Sequence, residues 1–141
     1  PIHDAIAAMH AGWRGTALGI IPATLQRMHT YCRTDPKDCI VAIGPAIGPC
    51  CYEVDDDVAA RFPAELVHPS ENGKYRLDLQ GATVQQLVDA GVLAEHIDRA
   101  VWCTGCRADL FFSHRRDHGI TGRMRGVIAI RGKDKRKGRM P

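Results

Sequence analysis

Three stretches of this 141-residue sequence gather side chains that can do chemistry. In the first, His10-Ala-Gly-Trp-Arg14-Gly15, an imidazole able to ligate a metal or take up a proton precedes a guanidinium able to grip a phosphate at two points. Gly12 and Gly15 allow backbone angles or close approaches that a side chain would forbid. The glycine spacing, without the required Lys, excludes a P-loop and a dinucleotide fingerprint. From the residues alone His10 is either a metal ligand or catalytic base, or a hydrogen-bonded structural histidine, and Trp13 reads as core rather than as a stacking platform.

The second stretch, Ile43-Gly-Pro-Ala-Ile-Gly-Pro-Cys50-Cys51-Tyr52-Glu53, carries two glycine-proline pairs that stiffen its backbone and make it a good mount for a site. Cys50 or Cys51 is a candidate nucleophile or soft-metal ligand, with a small buried thiol as the commoner outcome. Glu53 is a candidate base or a partner for an arginine. The third stretch opens with Cys103-Thr-Gly-Cys106, the spacing of a zinc knuckle or a redox pair, and continues to His114-Arg115-Arg116-Asp117. A structural zinc site needs a second pair, and Cys50 and Cys51, being adjacent, are awkward chelators of one tetrahedral ion. Nothing else in the sequence resembles a thioredoxin unit, which lowers the redox reading further. Arg115 and Arg116 beside Asp117 also read as an ion-pair cluster that pins the loop.

Alternating strands and helices must position these stretches. Residues 5–9 read as a strand that hands over to the His10 loop. From Thr16 as N-cap, Leu18, Ile21, Leu25 and Met28 predict a helix that Pro22 kinks or restarts. Residues 39–43 predict a second strand, 54–62 a short helix with Asp55, Asp56 and Asp57 at its positive end, and 63–74 an irregular segment. A helix follows over 77–90, closed by Gly91, then a third strand over 97–102 and a fourth over 127–130. Each chemical stretch thus follows a strand, where open α/β sheets bind ligands and a helix start offers N–H groups to an anion.

Composition narrows the class. With 45% apolar and 25% charged residues the chain reads as one ordinary globular domain with one core, and no apolar run is long enough to span a bilayer. Six cysteines beside that much apolar content read as thiols in a reducing, cytoplasmic setting rather than as a disulfide framework. The net charge of +3 resides in the tail, where residues 131–141 carry +5 and leave −2 for the rest. The body is therefore not a nucleic-acid surface, and the tail reads as a solvated end. No secretory pattern opens the chain, which begins with Pro1 and reads as a fragment.

Taken together, HAGWRGTALGI, IGPAIGPCCYEV and CTGCRADLFFSHRRDHGITGRM resemble the YfiH family, also called the polyphenol-oxidoreductase laccase family, over about residues 5–130. The resemblance implies an α/β fold, layered α/β/β/α with mixed sheets, similar to the catalytic domain of cytotoxic necrotizing factor toxins, of which residues 1–130 are the carboxy-terminal part. It further implies a single zinc ion held by two His and one Cys, with phosphorolysis of adenosine, inosine, guanosine and methylthioadenosine, and deamination of adenosine. His10 matches one of those ligands, while the other His and the Cys belong to upstream motifs absent here, so the resemblance gives Cys50, Cys51, Cys103 and Cys106 no ligand role. Arg14, Arg115 and Arg116 match positions near nucleoside or phosphate, and His114 stands where many relatives carry an aromatic residue. Zinc with three protein ligands keeps an open position that can polarise water, and guanidinium groups hold phosphate for attack at the sugar carbon. The expected partners are a purine nucleoside and phosphate, with no nucleic acid and no membrane.

Alone, this chain is expected to lack turnover and to self-associate through exposed apolar sheet surface. Two other readings stand beside the enzyme. A copper-dependent polyphenol oxidase needs many imidazoles, and the seven histidines here are scattered with no His-x-His pair. A non-catalytic binding or accessory domain is the third reading.

Overall fold

The computed structural model describes residues 4–131. Where the sequence predicts one helix from Thr16, the chain builds two: α1 (Trp13–Ala17), entered from Gly12, and α2 (Ile20–Cys32). Gly19 separates them with φ of 75°, a left-handed turn that glycine makes without steric cost. Thr16 is therefore no N-cap; it lies inside α1 and is fully buried. Pro22 falls in the first turn of α2, where its missing N–H has no helical partner to lose, so it restarts the helix rather than kinking it. Ile21 and Leu25 face the core as their spacing requires, whereas Leu18, at the break, is 83% exposed.

The chain next forms β1 (Val41–Ile43), β2 (Glu53–Val54), the short helix α3 (Asp56–Ala59), β3 (Val67–Pro69) and β4 (Tyr75–Leu77). Helix α4 (Leu79–Asp89) and β5 (Ile97–Arg99) complete the order. Asp78 caps α4 by accepting the Gly81 N–H at 2.8 Å. At its far end the Gly91 N–H reaches the Val88 carbonyl and the Val92 N–H the Leu87 carbonyl, with Gly91 at φ of 96°. This is the Schellman closure expected of Gly91, and it buries Val92 against Leu87.

Two small sheets result. β1 and β5 pair in parallel, with Val41 opposite Ile97 and Ile43 opposite Arg99. β2, β4 and β3 form an antiparallel sheet in that spatial order. Two of its strands lie in or beside the segment read as irregular; at two or three residues each, they are too short to display alternation. One apolar cluster joins Ile21 and Leu25 of α2 to Leu87 and Val92, over β1 and β5. A second joins Tyr52, Val54, Leu77 and Leu79, with Trp13 and Ile47 packed against it.

Two expected strands are absent. Residues 5–9 and 127–130 carry no strand, and Val127, Ile128 and Ile130 are 88%, 53% and 49% exposed. An apolar run becomes a strand only where a neighbouring edge accepts its backbone groups, and none does so here among the described residues. No helix among the described residues is long and apolar enough to cross a membrane. Beyond Arg131 the basic tail lies outside the described residues.

Candidate active site and a thiol cluster

Parallel pairing decides where the chemical stretches meet. Because β1 and β5 run side by side in the same direction, the loops that follow them leave from one edge. The pairing extends past the strands: the Ala100 N–H bonds the Ile43 carbonyl, the Thr104 N–H bonds the Ala46 carbonyl, both at 2.9 Å, and Ala46 bridges to Cys103. The second and third stretches are thereby laid against each other. Trp13 brings the first stretch in by packing on the Tyr52 cluster.

Tyr52 is the meeting point. The Arg115 guanidinium lies 5.2 Å from the centre of its ring, and Arg14 lies over the neighbouring Trp13 ring at 4.5 Å. Burial pushes the Tyr52 phenol up, while the positive charges of Arg115 and Arg14 act against that rise. Both guanidinium charges thus bear on one phenol, one from α1 and one from a loop far away in sequence. His10, in the loop before α1, is exposed, and its ring folds across Gly12: a Cβ on Gly12 would come 2.9 Å from His10 Nε2. α1 is only five residues long, so its start offers little of the dipole on which the expected anion site would draw.

Arg115 and Arg116 are neighbours with opposite tasks. Arg116 donates to the carbonyls of Thr104 (2.9 Å) and Phe111 (3.1 Å) and grips both carboxylate oxygens of Asp117 at 2.7 and 3.0 Å. Those hydrogen bonds, with one from Thr121, hold the Asp117 carboxyl down at about 2 despite partial burial. Arg116 therefore binds the loop to itself, as the ion-pair reading anticipated, and Arg115 is left to lie over Tyr52 while donating to the Glu53 carbonyl. Glu53 accepts from Ser70 Oγ at 2.6 Å and lies 3.8 Å from Arg76. Arg76, which also donates to the Cys50 carbonyl, went unnoticed in the sequence because no local motif marks it, and Tyr52, although inside the second stretch, was given no role. His114 is exposed, beside Gly119.

A cavity of about 320 Å³ gathers Cys50, Cys51, Glu53, Arg76, Arg115 and Arg116. A larger one, about 450 Å³, is lined by residues of the 108–122 segment alone and joins no two of the three stretches, so the smaller is the candidate site. Cys50 and Cys51 at its wall come together with Cys103 and Cys106, the four cysteines that the family resemblance left without a role: their sulfurs all lie within 4.8 Å of one another, a donor set that could hold a metal ion. Burial raises the Cys103 thiol, but N–H groups of Gly48, Cys106 and Gly105, with the Cys50 thiol, outweigh it and bring it down to about 7. Burial and the neighbouring thiols push Cys50 up to about 11, and Cys51 higher still. Among the described residues this is the one group of three or more metal-ligating side chains, and His10 belongs to no such group. The described residues thus do not by themselves compose the three-ligand zinc site that the resemblance implies.

A mixed α/β protein in which cysteine- and arginine-bearing loops meet past the carboxyl ends of a parallel strand pair is the class that fold and site define. The model of the multi-copper polyphenol oxidoreductase laccase family matches residues 1–131, and the chain belongs to that family. It is 46% identical over 138 residues to a protein named purine nucleoside phosphorylase YlmD from Geobacillus stearothermophilus, covering 93% of this chain and 50% of that relative. A purine nucleoside phosphorylase from Bacteroides thetaiotaomicron is 37% identical over 135 residues, with 91% and 50% covered. The crystal structure of the Geobacillus YlmD superposes with a TM-score of 0.75 at 48% identity, over 80% of this chain and 44% of that one. Bacillus licheniformis YfiH, described as a hypothetical protein, gives 0.71 at 43% identity, over 78% and 44%. The chain therefore spans about half the length of these bacterial relatives.

Proposed function

We propose that this chain supplies the phosphate-holding side of a purine nucleoside phosphorylase. The observation that carries the reading is the convergence of Arg14 and Arg115 on Tyr52 beside the His10 loop. In phosphorolysis an oxygen of inorganic phosphate bonds to the sugar carbon as the bond to the purine nitrogen breaks, and the base leaves with a proton. Arg14 and Arg115 hold the phosphate dianion by charge-assisted hydrogen bonds and so set its line of approach. Arg116 keeps Arg115 in place through the loop bonds described above. His10 is this chain's candidate metal ligand and catalytic residue; no step is assigned to a metal, because the described residues offer it no companion ligand. Zinc dependence, the range adenosine, inosine, guanosine and methylthioadenosine, adenosine deamination and a cytoplasmic setting belong to the same reading. So do the layered α/β/β/α arrangement, its likeness to the necrotizing factor fold, and a single domain over residues 1–130.

The test is phosphate-dependent release of adenine or hypoxanthine by the full-length protein, with and without chelator. Arg14→Ala and Arg115→Ala are expected to raise the KM for phosphate more than that for nucleoside. Absence of base release in the unmutated protein defeats the proposal. Oxidation of a phenol only after copper loading would favour the oxidase suggested by the family's description.

A further inference from the structure

We propose that Cys50, Cys51, Cys103 and Cys106 form a four-thiolate site for one zinc ion, which ties the loop after β1 to the loop after β5. Four features of the structure point to a metal rather than to disulfides or idle thiols. First, the sulfurs are spaced for it. Cys50 and Cys51 lie 3.5 and 3.4 Å from Cys106, and all four fit within 4.8 Å. Zinc at about 2.3 Å from each of four tetrahedral sulfurs sets them about 3.8 Å apart.

Second, the obstacle of adjacent cysteines is removed by the backbone. Neighbouring side chains diverge in an extended chain, but residues 49–51 form a turn in which the N–H groups of Cys51 and Tyr52 both bond the Gly48 carbonyl at 3.0 Å. That turn swings both thiols toward Cys106. Third, a backbone N–H points at sulfur: Gly48 donates to Cys103 Sγ at 3.2 Å. Such a donor favours sulfur that carries negative charge, as a metal-bound thiolate does. Fourth, two glycines clear the space. A Cβ on Gly105 would come 2.9 Å from Cys51 Cβ, and one on Gly48 would come 3.3 Å from Cys103 Cβ and 3.4 Å from Cys50 Sγ.

On binding, each ligating thiol releases its proton to solvent, so zinc and four thiolates carry a net −2. Arg76, Arg115 and Arg116 line the adjoining cavity and offset that charge. No ligand position stays open, so the ion braces the two loops and takes no part in turnover. It is distinct from any metal at His10, and it stands whether or not the phosphorylase reading does.

The experiment is a titration of the reduced, metal-free chain with cobalt(II) as a coloured stand-in, followed by zinc displacement and X-ray absorption on the zinc-loaded chain. One equivalent is expected, with the visible absorption of tetrahedral sulfur-bound cobalt and four sulfurs at about 2.3 Å from zinc. Cys106→Ser should weaken binding at least about tenfold, since even outer-shell losses around a metal cost that much. His10→Ala should change neither signature. The spectrum of the unmutated chain decides the matter even if the Cys106 variant does not fold. No metal uptake under reducing conditions, nitrogen in the coordination shell that vanishes in His10→Ala, or an intact mass showing disulfides in place of metal would each overturn the proposal.

Discussion

The α2–α4 side of the molecule and the loop over residues 103–121 are held together by different forces. On the helical side Ile21, Leu25, Leu87 and Val92 are all at most 5% exposed and lock into one apolar cluster. In the loop the buried residues are Thr104 and Ser113, while Leu110, Phe112 and Ile120 are 51%, 53% and 91% exposed. Hydrogen bonds donated by Arg116 and hydrogen bonds accepted by the Asp117 carboxylate fix the loop instead. The arginine that faces the candidate site rides on the polar region, not on the apolar one. Stability and site geometry are therefore separable here, and substitutions should divide along the same line.

The largest effect is expected from Leu87→Ala. Leu87 is 1% exposed, and removing such a side chain costs about 2–5 kcal/mol, read as a fall in the urea midpoint of the whole chain. Arg116→Ala should break the comparison from the other side, speeding amide hydrogen exchange over residues 104–121 while leaving exchange in α4 unchanged. Uniform exchange changes in both regions would mean that the loop and the core unfold as one unit. Acid sharpens the contrast. Since the Asp117 carboxyl is held below its ordinary value, at about 2, its contribution is complete above the unfolded value of about 4 and disappears as pH falls toward 2. Protection in the loop should therefore survive to about pH 4 and fail below it, and loss already at pH 5 would contradict the assignment. The smallest effect is expected at the end of α2, where Arg33 holds φ of 56°. Arg33→Gly relieves about 1–2 kcal/mol of left-handed strain against about 0.5–1 kcal/mol of added chain entropy, for a small net rise in the urea midpoint.

Much of this was legible in the residues. Helices depend on bonds between near neighbours, so the spacing of Ile21 and Leu25, the apolar pattern over 77–90 and Gly91 announced α2 and α4. The motifs placed His10, Arg115 and Arg116 on loops, and loops they are, whereas Arg14 falls inside α1, which begins earlier than the Thr16 start expected. What the local pattern misjudged depends on partners elsewhere in the chain. The apolar runs at 5–9 and 127–130 met no receiving edge, and the strands of the antiparallel sheet were too brief to show a period.

The sequence by itself settled the chemical inventory, the two long helices and the family, because each is written in local spacing or in ordered motifs. Only the tertiary structure decided which of two adjacent arginines turns outward and which cysteines share a place. The physical reason is the parallel register of β1 and β5: two short strands brought side by side deliver to one edge loops that are more than fifty residues apart in sequence, and nothing local in either loop encodes that meeting.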